Sequence, residues 1–550
     1  MVDQHADAFD YIVVGAGTAG CVLASRLSEQ PNVRVALVEA GPMDKHPFIH
    51  IPATVGAAIG TPAINWRFMT APQEHLNGRK IPIPRGHVVG GSGSINGMVY
   101  FRGHPTDFDD WAAAGNPGWS YRDVMPYFLR SENNEAYRGS PYHGQGGPMN
   151  VAYVKRPNPM TPAFLAAMDS MGFKPTKDFN GATSEGYGPR QGTLQNGRRV
   201  STATAYLRAA SSRPNLTILT NTRTSRVLIE NKRATGIEVL VEGGGTRRLT
   251  ARGEVIVSGG SVLSPQLLML SGIGNGDALR AHGIEVQHHL PGVGANYHDH
   301  LAIAILLEMS NTDSYGLSWR TAPRSLANVL EYALFRRGPL SSNVFEATGF
   351  VRTLPELARP DIQVVFQAAR RNTNTFPFPL GHGYAISVVG LYPKSRGTVT
   401  LASADPRAAP VVDPKLLSHP DDVALMLRGL KIGRRVAHAP SFARYQATEV
   451  QPGPAVTEDA ALVEYIRRAA ATVHHPCSSC RMGPDANSVV DAELRVHGIE
   501  ALRVADASVF PSVVGGNTNA AVVMIAEKAA DMIRGVAAPA PLDLPVARSA

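Results

Sequence analysis

The chain has 550 residues, 44% of them hydrophobic and 18% charged, which is the balance of a globular protein and not of a disordered one. Its formal charge of +8 is spread thinly, with no dense Lys/Arg block, and this argues against nucleic acid as a partner. Three cysteines exclude a disulfide framework, and no apolar run reaches the length of a membrane span or of a signal core, so a cytoplasmic location is expected, with contact at the inner membrane surface left open.

The first informative stretch, Asp10 to Leu27, reads DYIVVGAGTAGCVLASRL. Its apolar run Tyr11 to Val14 predicts a strand buried on both faces of a parallel sheet. Then come Gly15-Ala16-Gly17-Thr18-Ala19-Gly20, a segment of helical period, and a second strand, VRVALVE, ending at Glu39 beside Ala40. Strand, G-x-G-x-x-G, helix, strand and acid in this order form a dinucleotide-binding fingerprint. Gly15 permits the tight turn, Gly17 lets the backbone approach a pyrophosphate, and Gly20 lets helix and strand pack closely. The helix N-terminus at Thr18 and Ala19 stabilises phosphate charge, and Glu39 accepts from ribose hydroxyls. An acid at 39 disfavours a 2′-phosphate and leaves NAD and FAD open.

Two more glycine-rich stretches follow, at 85–103 and 255–274. The second predicts a buried strand, a helix initiated by Pro265, and a glycine stop. Three such stretches suit a larger, extended cofactor better than a single NAD site. From about 300 to 470, turn signals alternate with short β-branched runs, predicting a mixed or antiparallel sheet with covering helices. Residues 370–384 read as a loop over a pocket, with Arg370 and Arg371 as plain surface, and 536–550 as a frayed tail.

Residues 473–483, VHHPCSSCRMG, are open to three chemistries: metal binding, thiol–disulfide exchange, or proton abstraction by a histidine. A redox Cys-x-x-C belongs after an early strand, and a structural zinc needs four ligands in closed spacing, so Cys477 and Cys480 read as packing. His298-Asp299-His300 has the look of a chelate.

Taken together, GAGTAG, GGSGSINGMVYFRG with its DFDDW, RRVSTATAYL, SPQLLMLSGIG, PGVGANYHDH, KSRGTVTL, HHPCSSCRMG and VADASVFPSVVGGNTNA resemble the glucose–methanol–choline (GMC) oxidoreductases, FAD enzymes that oxidise alcohols. The resemblance runs in family order from about Asp10 to Met532, and is strongest to the bacterial branch of choline, sorbose and alcohol dehydrogenases. It implies an α/β fold: a Rossmann-like FAD-binding domain on a parallel sheet, over 8–304 with an inserted segment at about 155–190. A second, α+β substrate domain on a mostly antiparallel sheet would span 305–470, with 471–535 returning to the FAD domain.

The same resemblance implies site roles. His475 would be the catalytic base and Asn517 its partner, with His474 a neighbour. Gly91, Asn96, Gly97, Met98 and Val99 would run along the isoalloxazine ring, Val227 would lie near the adenine, and Gly259, Asp506, Asn517 and Thr518 would also contact FAD. His298-Asp299-His300 becomes structural, with no metal. Ile95 stands where some members carry a flavin-linking histidine, which implies non-covalent FAD, and His87 stands where Lys or Arg is common. The substrate would be a small-molecule alcohol and the acceptor a quinone or other carrier in preference to O2, in a monomer or small homo-oligomer. The alternative, a lyase or decarboxylase on the same fold, is disfavoured by the presence of both His475 and Asn517.

Overall fold

A computed structural model describes residues 7–241, 243–370 and 380–546. Strand Ala8–Val14 lies between Val35–Val38 and Thr246–Val257, parallel to both, and Leu216–Leu219 extends the parallel set past Val35–Val38. Leu502–Val504 adds a parallel strand against the end of Thr246–Val257. The first half of that long strand pairs antiparallel with Arg233–Leu240, which in turn pairs with Thr224–Glu230. The sheet is therefore mixed: parallel beneath the glycine motif, antiparallel at one edge. Ile12, Val13, Ala36 and Leu37 are fully buried, as apolar strands with no polar alternation must be. The helix Thr18–Leu27 packs on the helix Asn519–Arg534 within the same core.

The expected helix after 255–259 forms, but Pro265 does not initiate it. The helix runs Gly260–Leu270 with Pro265 inside. Its start is set by Asp506, whose Oδ2 accepts from the Gly260 N–H at 2.8 Å and from Ser264 Oγ at 2.6 Å. Proline has no N–H to give the Ser261 carbonyl one turn back. Ser479 Oγ donates to that carbonyl at 2.7 Å instead, so the sequence rule is overridden by a long-range partner.

The second sheet is antiparallel and ordered Thr448–Gln451, Leu301–Glu308, Gly383–Gly390, Ile362–Gln367, Ala347–Val351, Gly186–Pro189. Strand alternation divides its faces. Ile303, Ile305, Leu307, Val364, Phe366, Ile386 and Val388 enter an apolar core with the helix Pro420–Ala437. The intervening Ala302, Ala304, Gln363, Val365, Gln367, Ser387 and Val389 line a cavity between the two sheets.

The boundary expected after residue 304 falls inside a strand. Leu301–Glu308 belongs to the second sheet throughout, and Ala471–Thr472 pairs back onto its start, so, after the earlier edge strand Gly186–Pro189, the chain returns to that sheet at Leu301 and leaves it after Thr472. The segment expected to be inserted at 155–190 supplies the helix Thr161–Ser170 and the edge strand. The tail expected to fray is tethered: the Leu542 N–H donates to Arg122 O at 2.9 Å and Tyr142 Oη to Pro545 O at 2.5 Å. Residues 547–550, and most of the 370–384 loop, lie outside the described residues. Among the described residues no helix is long and apolar enough to cross a membrane.

Candidate active site

A cavity of about 500 Å³ runs between the sheets. Of the residues singled out from sequence, Gly15, Gly17, Thr18, Ala19, Glu39, Ala40, Gly91, Asn96, Gly97, Met98, Val99, Gly259, His475, Asp506, Asn517 and Thr518 line it. Gly20 does not. It packs behind the turn, where an added Cβ would stand 1.8 Å from the Gly15 carbonyl oxygen. Gly91, at φ +52, would place a Cβ 2.7 Å from Gly17 Cα, so the second glycine-rich stretch lies directly on the first.

Val227 is the expectation that the structure corrects. It is 2% exposed, its N–H donates to Ser271 Oγ at 2.8 Å, and it lies in the core. Thr224, the first residue of the same strand, and Thr222 and Arg223 just before it line the cavity instead. Three residues along a strand is about 10 Å, enough to leave the rim. Thr224 Oγ1 is buried without a hydrogen-bond partner among the described residues.

Glu39, expected to meet ribose hydroxyls, is bonded to its own loop: its oxygens accept from the Ala16 and Gly41 N–H groups, both at 2.8 Å. Burial pushes its pKa up to about 7. Each oxygen keeps a second lone pair. Two helix N-termini meet beside it, Thr18 Oγ1 donating to Asn519 Oδ1 at 3.0 Å. Both helices exceed eight residues, so unpaired N–H groups and two dipole ends converge where a pyrophosphate belongs. The glycine cradle, the paired N-termini and the orphaned Thr224 hydroxyl fit an extended dinucleotide such as FAD.

The catalytic end is a chain of hydrogen bonds whose directions are fixed by its two ends. Arg190 Nη2 can only donate, and it lies 3.1 Å from Asn517 Oδ1. That sets the amide, so Asn517 Nδ2 donates to His475 Nε2 at 3.1 Å. From the other end, the Leu391 carbonyl can only accept, and His300 Nε2 lies 2.9 Å from it. A neutral His300 therefore has a bare Nδ1, which accepts from His475 Nδ1 at 3.0 Å. Assigned from this network, His475 carries its proton on Nδ1 and leaves Nε2 unprotonated, its lone pair accepting from Asn517. Burial holds the His475 pKa well below its ordinary value, with the His300, His474, Arg85 and Arg190 charges adding to the effect. Burial likewise lowers His300 to about 4.

The backbone supports this placement. The His475 N–H donates to Asp299 Oδ1 at 2.7 Å, and His474 holds a left-handed φ of +68, a conformation costing about 1–3 kcal/mol outside glycine. Arg85 Nη2 donates to the His474 carbonyl at 2.7 Å. The three residues of the 298–300 run serve separate partners. His298 lies between the Asn296 carbonyl at 2.7 Å and the Val513 N–H at 3.0 Å, Asp299 holds the His475 backbone, and His300 holds its ring. Cys477 and Cys480 are free, fully buried thiols, with burial raising the pKa of each.

Sequence reasoning missed His300 as a site residue, and also Arg190 and Arg85. His300 had a signal, the Asp-His run itself, but only the fold reveals that it faces His475. Ile95 lines the cavity and packs with Ile49, Ile64 and Val88. His87, which stands where Lys or Arg is common, packs on Trp66 with ring centroids 4.2 Å apart and the rings tilted by 49°. Arg370 pairs with Glu308, and Arg371 lies outside the described residues.

Comparison with known proteins agrees with this geometry. Residues 9–302 and 393–526 match the N- and C-terminal regions of GMC oxidoreductases. The chain is 44% identical to the alcohol dehydrogenase [acceptor] of Pseudomonas putida, over 96% of this chain and 95% of that one. It is 40% identical to the oxygen-dependent choline dehydrogenase of Brucella ovis, over 96% and 95%. Its fold superposes on the crystal structure of pyridoxine 4-oxidase from Mesorbium loti with a TM-score of 0.86 at 31% identity, covering 96% of this chain and 99% of that one. On this evidence the chain belongs to the GMC oxidoreductase family.

Proposed function

We propose that this chain oxidises an alcohol to an aldehyde or ketone, with His475 taking the hydroxyl proton and Asn517 orienting the oxygen. Bound FAD supplies the acceptor for the hydride that leaves the carbinol carbon. The observation that carries the reading is the unprotonated Nε2 of a neutral, buried His475 on the cavity wall, where Asn517 Nδ2 holds its lone pair until a substrate hydroxyl takes that place. A neutral imidazole accepts a proton at neutral pH without first losing one. Asn517 has two N–H groups: one meets His475, and the other is available to a developing alkoxide. Arg190 keeps the amide from flipping, and His300 keeps the imidazole in the tautomer that leaves Nε2 bare.

For the cofactor, Gly15–Thr18 and the Asn519 helix start would hold the pyrophosphate, Glu39 a ribose, Thr224 the adenine end, and Asn96–Val99 the ring system. With Ile95 in place of a linking histidine, FAD is held non-covalently. The segments 8–304 and 471–535 bind the cofactor, and 305–470 with 155–190 shapes the substrate side. The relative named as an alcohol dehydrogenase [acceptor] supports a quinone or similar carrier ahead of O2. A cytoplasmic monomer or small homo-oligomer completes the reading. Anaerobic titration of the yellow protein with a panel of primary and secondary alcohols tests it: bleaching of the flavin band is expected, and an unbleached spectrum across the whole panel contradicts it.

A further inference from the structure

Arg190 is 6% exposed, yet among the described residues its guanidinium has a single side-chain acceptor, Asn517 Oδ1. Arg190 differs in making one side-chain contact where Arg102 meets a carboxylate and Arg199, also without a carboxylate, makes three oxygen contacts. Arg102 pairs with Glu132, and Arg199 reaches the Ile49 and Gly93 carbonyls and Asn96 Oδ1. Burial drives the Arg190 pKa down to about 9, with no opposing charge among the described residues to restore it. An unpaired buried charge is costly unless something compensates it. Beside it on the cavity wall sits Gln363, 3% exposed, with an amide Nε2 that has no partner among the described residues. Both residues also border one small void. A donor-only cation on the cavity wall and a buried, orphaned amide N–H on the neighbouring lining residue lack the same thing: an acceptor.

We propose that the alcohol oxidised here carries a carboxylate, bound by Arg190 and Gln363 a few bonds from the carbinol carbon. This rests on the alcohol-oxidation reading and narrows its substrate class. The short reach follows from the chain of contacts, since only the Asn517 amide separates Arg190 from His475. In the reaction the C–H and O–H bonds break and C=O forms. The hydride with its electron pair goes to FAD, the proton goes to His475, and the carboxylate is unchanged, so a hydroxy acid becomes an oxo acid. A cationic alcohol such as choline meets a like charge in the same place.

The test compares anaerobic flavin reduction by 3-hydroxypropanoate, propan-1-ol and choline in the holoenzyme, in Arg190→Met and in Arg190→Lys. Binding of propanoate, which has no hydroxyl, is followed in parallel by perturbation of the flavin spectrum. The wild type should favour 3-hydroxypropanoate over propan-1-ol by tenfold or more in kcat/KM, a ratio that Arg190→Met abolishes and Arg190→Lys partly keeps. Propanoate should bind the wild type and lose at least tenfold in affinity in Arg190→Met. A wild-type ratio near one, or no propanoate binding, overturns the proposal. Propanoate binding without bleaching by any alcohol would support the anion site and sink the alcohol-oxidation reading instead.

A second surface is independent of the first. The helix Ala322–Phe335 is amphipathic in the wrong sense for a globular protein. Leu326, Val329, Leu330, Leu334 and Phe335 are 51–71% exposed and the preceding Trp319 is 85% exposed, while Ser325, Asn328 and Tyr332 face inward. Four arginines, 320, 324, 336 and 337, flank this apolar face against one acid, Glu331, which pairs with Arg156. An apolar face with Trp at its edge and Arg around it matches an anionic bilayer surface. We infer that this helix docks the protein on anionic lipid, lying in the headgroup plane. Co-sedimentation of the holoenzyme with vesicles of phosphatidylcholine containing 30% phosphatidylglycerol should capture it, pure phosphatidylcholine should capture at least tenfold less, and Leu330→Glu/Leu334→Glu should abolish capture. Absence of capture at low salt overturns the inference. So does a dimer that this variant converts to monomer, because the face would then be a subunit interface.

Discussion

Asn517 Nδ2 and His475 Nε2 stand 3.1 Å apart, and the direction of their hydrogen bond is dictated by groups on either side, Arg190 and the Leu391 carbonyl. Neither of those outer groups can exchange donor for acceptor. The base is therefore poised before any ligand arrives.

His300 is a positioning residue in this arrangement. Replacing it with Phe removes the acceptor for the His475 Nδ1 proton and lets the imidazole populate the tautomer with Nε2 blocked. We expect kcat to fall about 10–100-fold, the range seen when a partner that orients a functional histidine is removed, with KM changed far less. His300→Asn, which can restore an acceptor, should recover part of the loss. Steady-state kinetics of the two variants check this, and equal defects in both would count against the tautomer role.

Burial disfavours the charged imidazole, so the His475 pKa is lowered and its base form persists to acid pH. The sign follows directly: activity is present above the folded pKa and lost as pH falls through it. A plot of kcat/KM against pH should stay level through pH 6.5, the ordinary histidine value, and fall only below it. An acid limb centred at or above 6.5 would contradict the buried-base account. Stability carries the same sign at His300, whose pKa drops to about 4. The unfolded chain takes up that proton first, so stability is lost as pH falls from about 6.5 toward 4.

Gly20→Ala tests the cradle. The new methyl would overlap the Gly15 carbonyl, forcing helix and strand apart at a cost of about 1–3 kcal/mol. The purified variant should show a lowered melting temperature and a reduced ratio of flavin to protein absorbance. A fully yellow Gly20→Ala protein of unchanged stability would mean the turn is more pliant than its packing indicates.

Denaturation with trichloroacetic acid distinguishes the two modes of flavin attachment. With Ile95 packed among Ile49, Ile64 and Val88, all of the flavin should appear in the supernatant as FAD. Yellow colour retained in the pellet would show a covalent link elsewhere on the chain.

Much of the cofactor side was legible because its motifs are local. Gly15, Gly17 and Gly20 each answer a steric demand of a strand–turn–helix, and that demand is written in consecutive residues. The same holds for the antiparallel sheet, whose alternation of Ile303, Ile305 and Leu307 with Ala302 and Ala304 divides core from cavity. What stayed hidden depends on contacts far apart in sequence. His300 meets His475 across 175 residues and Arg190 meets Asn517 across 327. The Pro265 error has the same origin, since Ser479 satisfies a carbonyl 218 residues away. The Val227 error was one of register: the resemblance led to the right strand, whose cavity end lies three residues earlier, at Thr224.

The central claim is that His475 Nε2 removes the substrate proton. Its most direct test is stopped-flow reduction of the flavin by a substrate alcohol under anaerobic conditions, wild type against His475→Ala, with FAD content verified in both. The account predicts full flavin occupancy in the variant and a reduction rate constant lower by about 10²–10⁴-fold, the usual contribution of a positioned general base. A fully loaded His475→Ala enzyme reducing within tenfold of the wild type would contradict it.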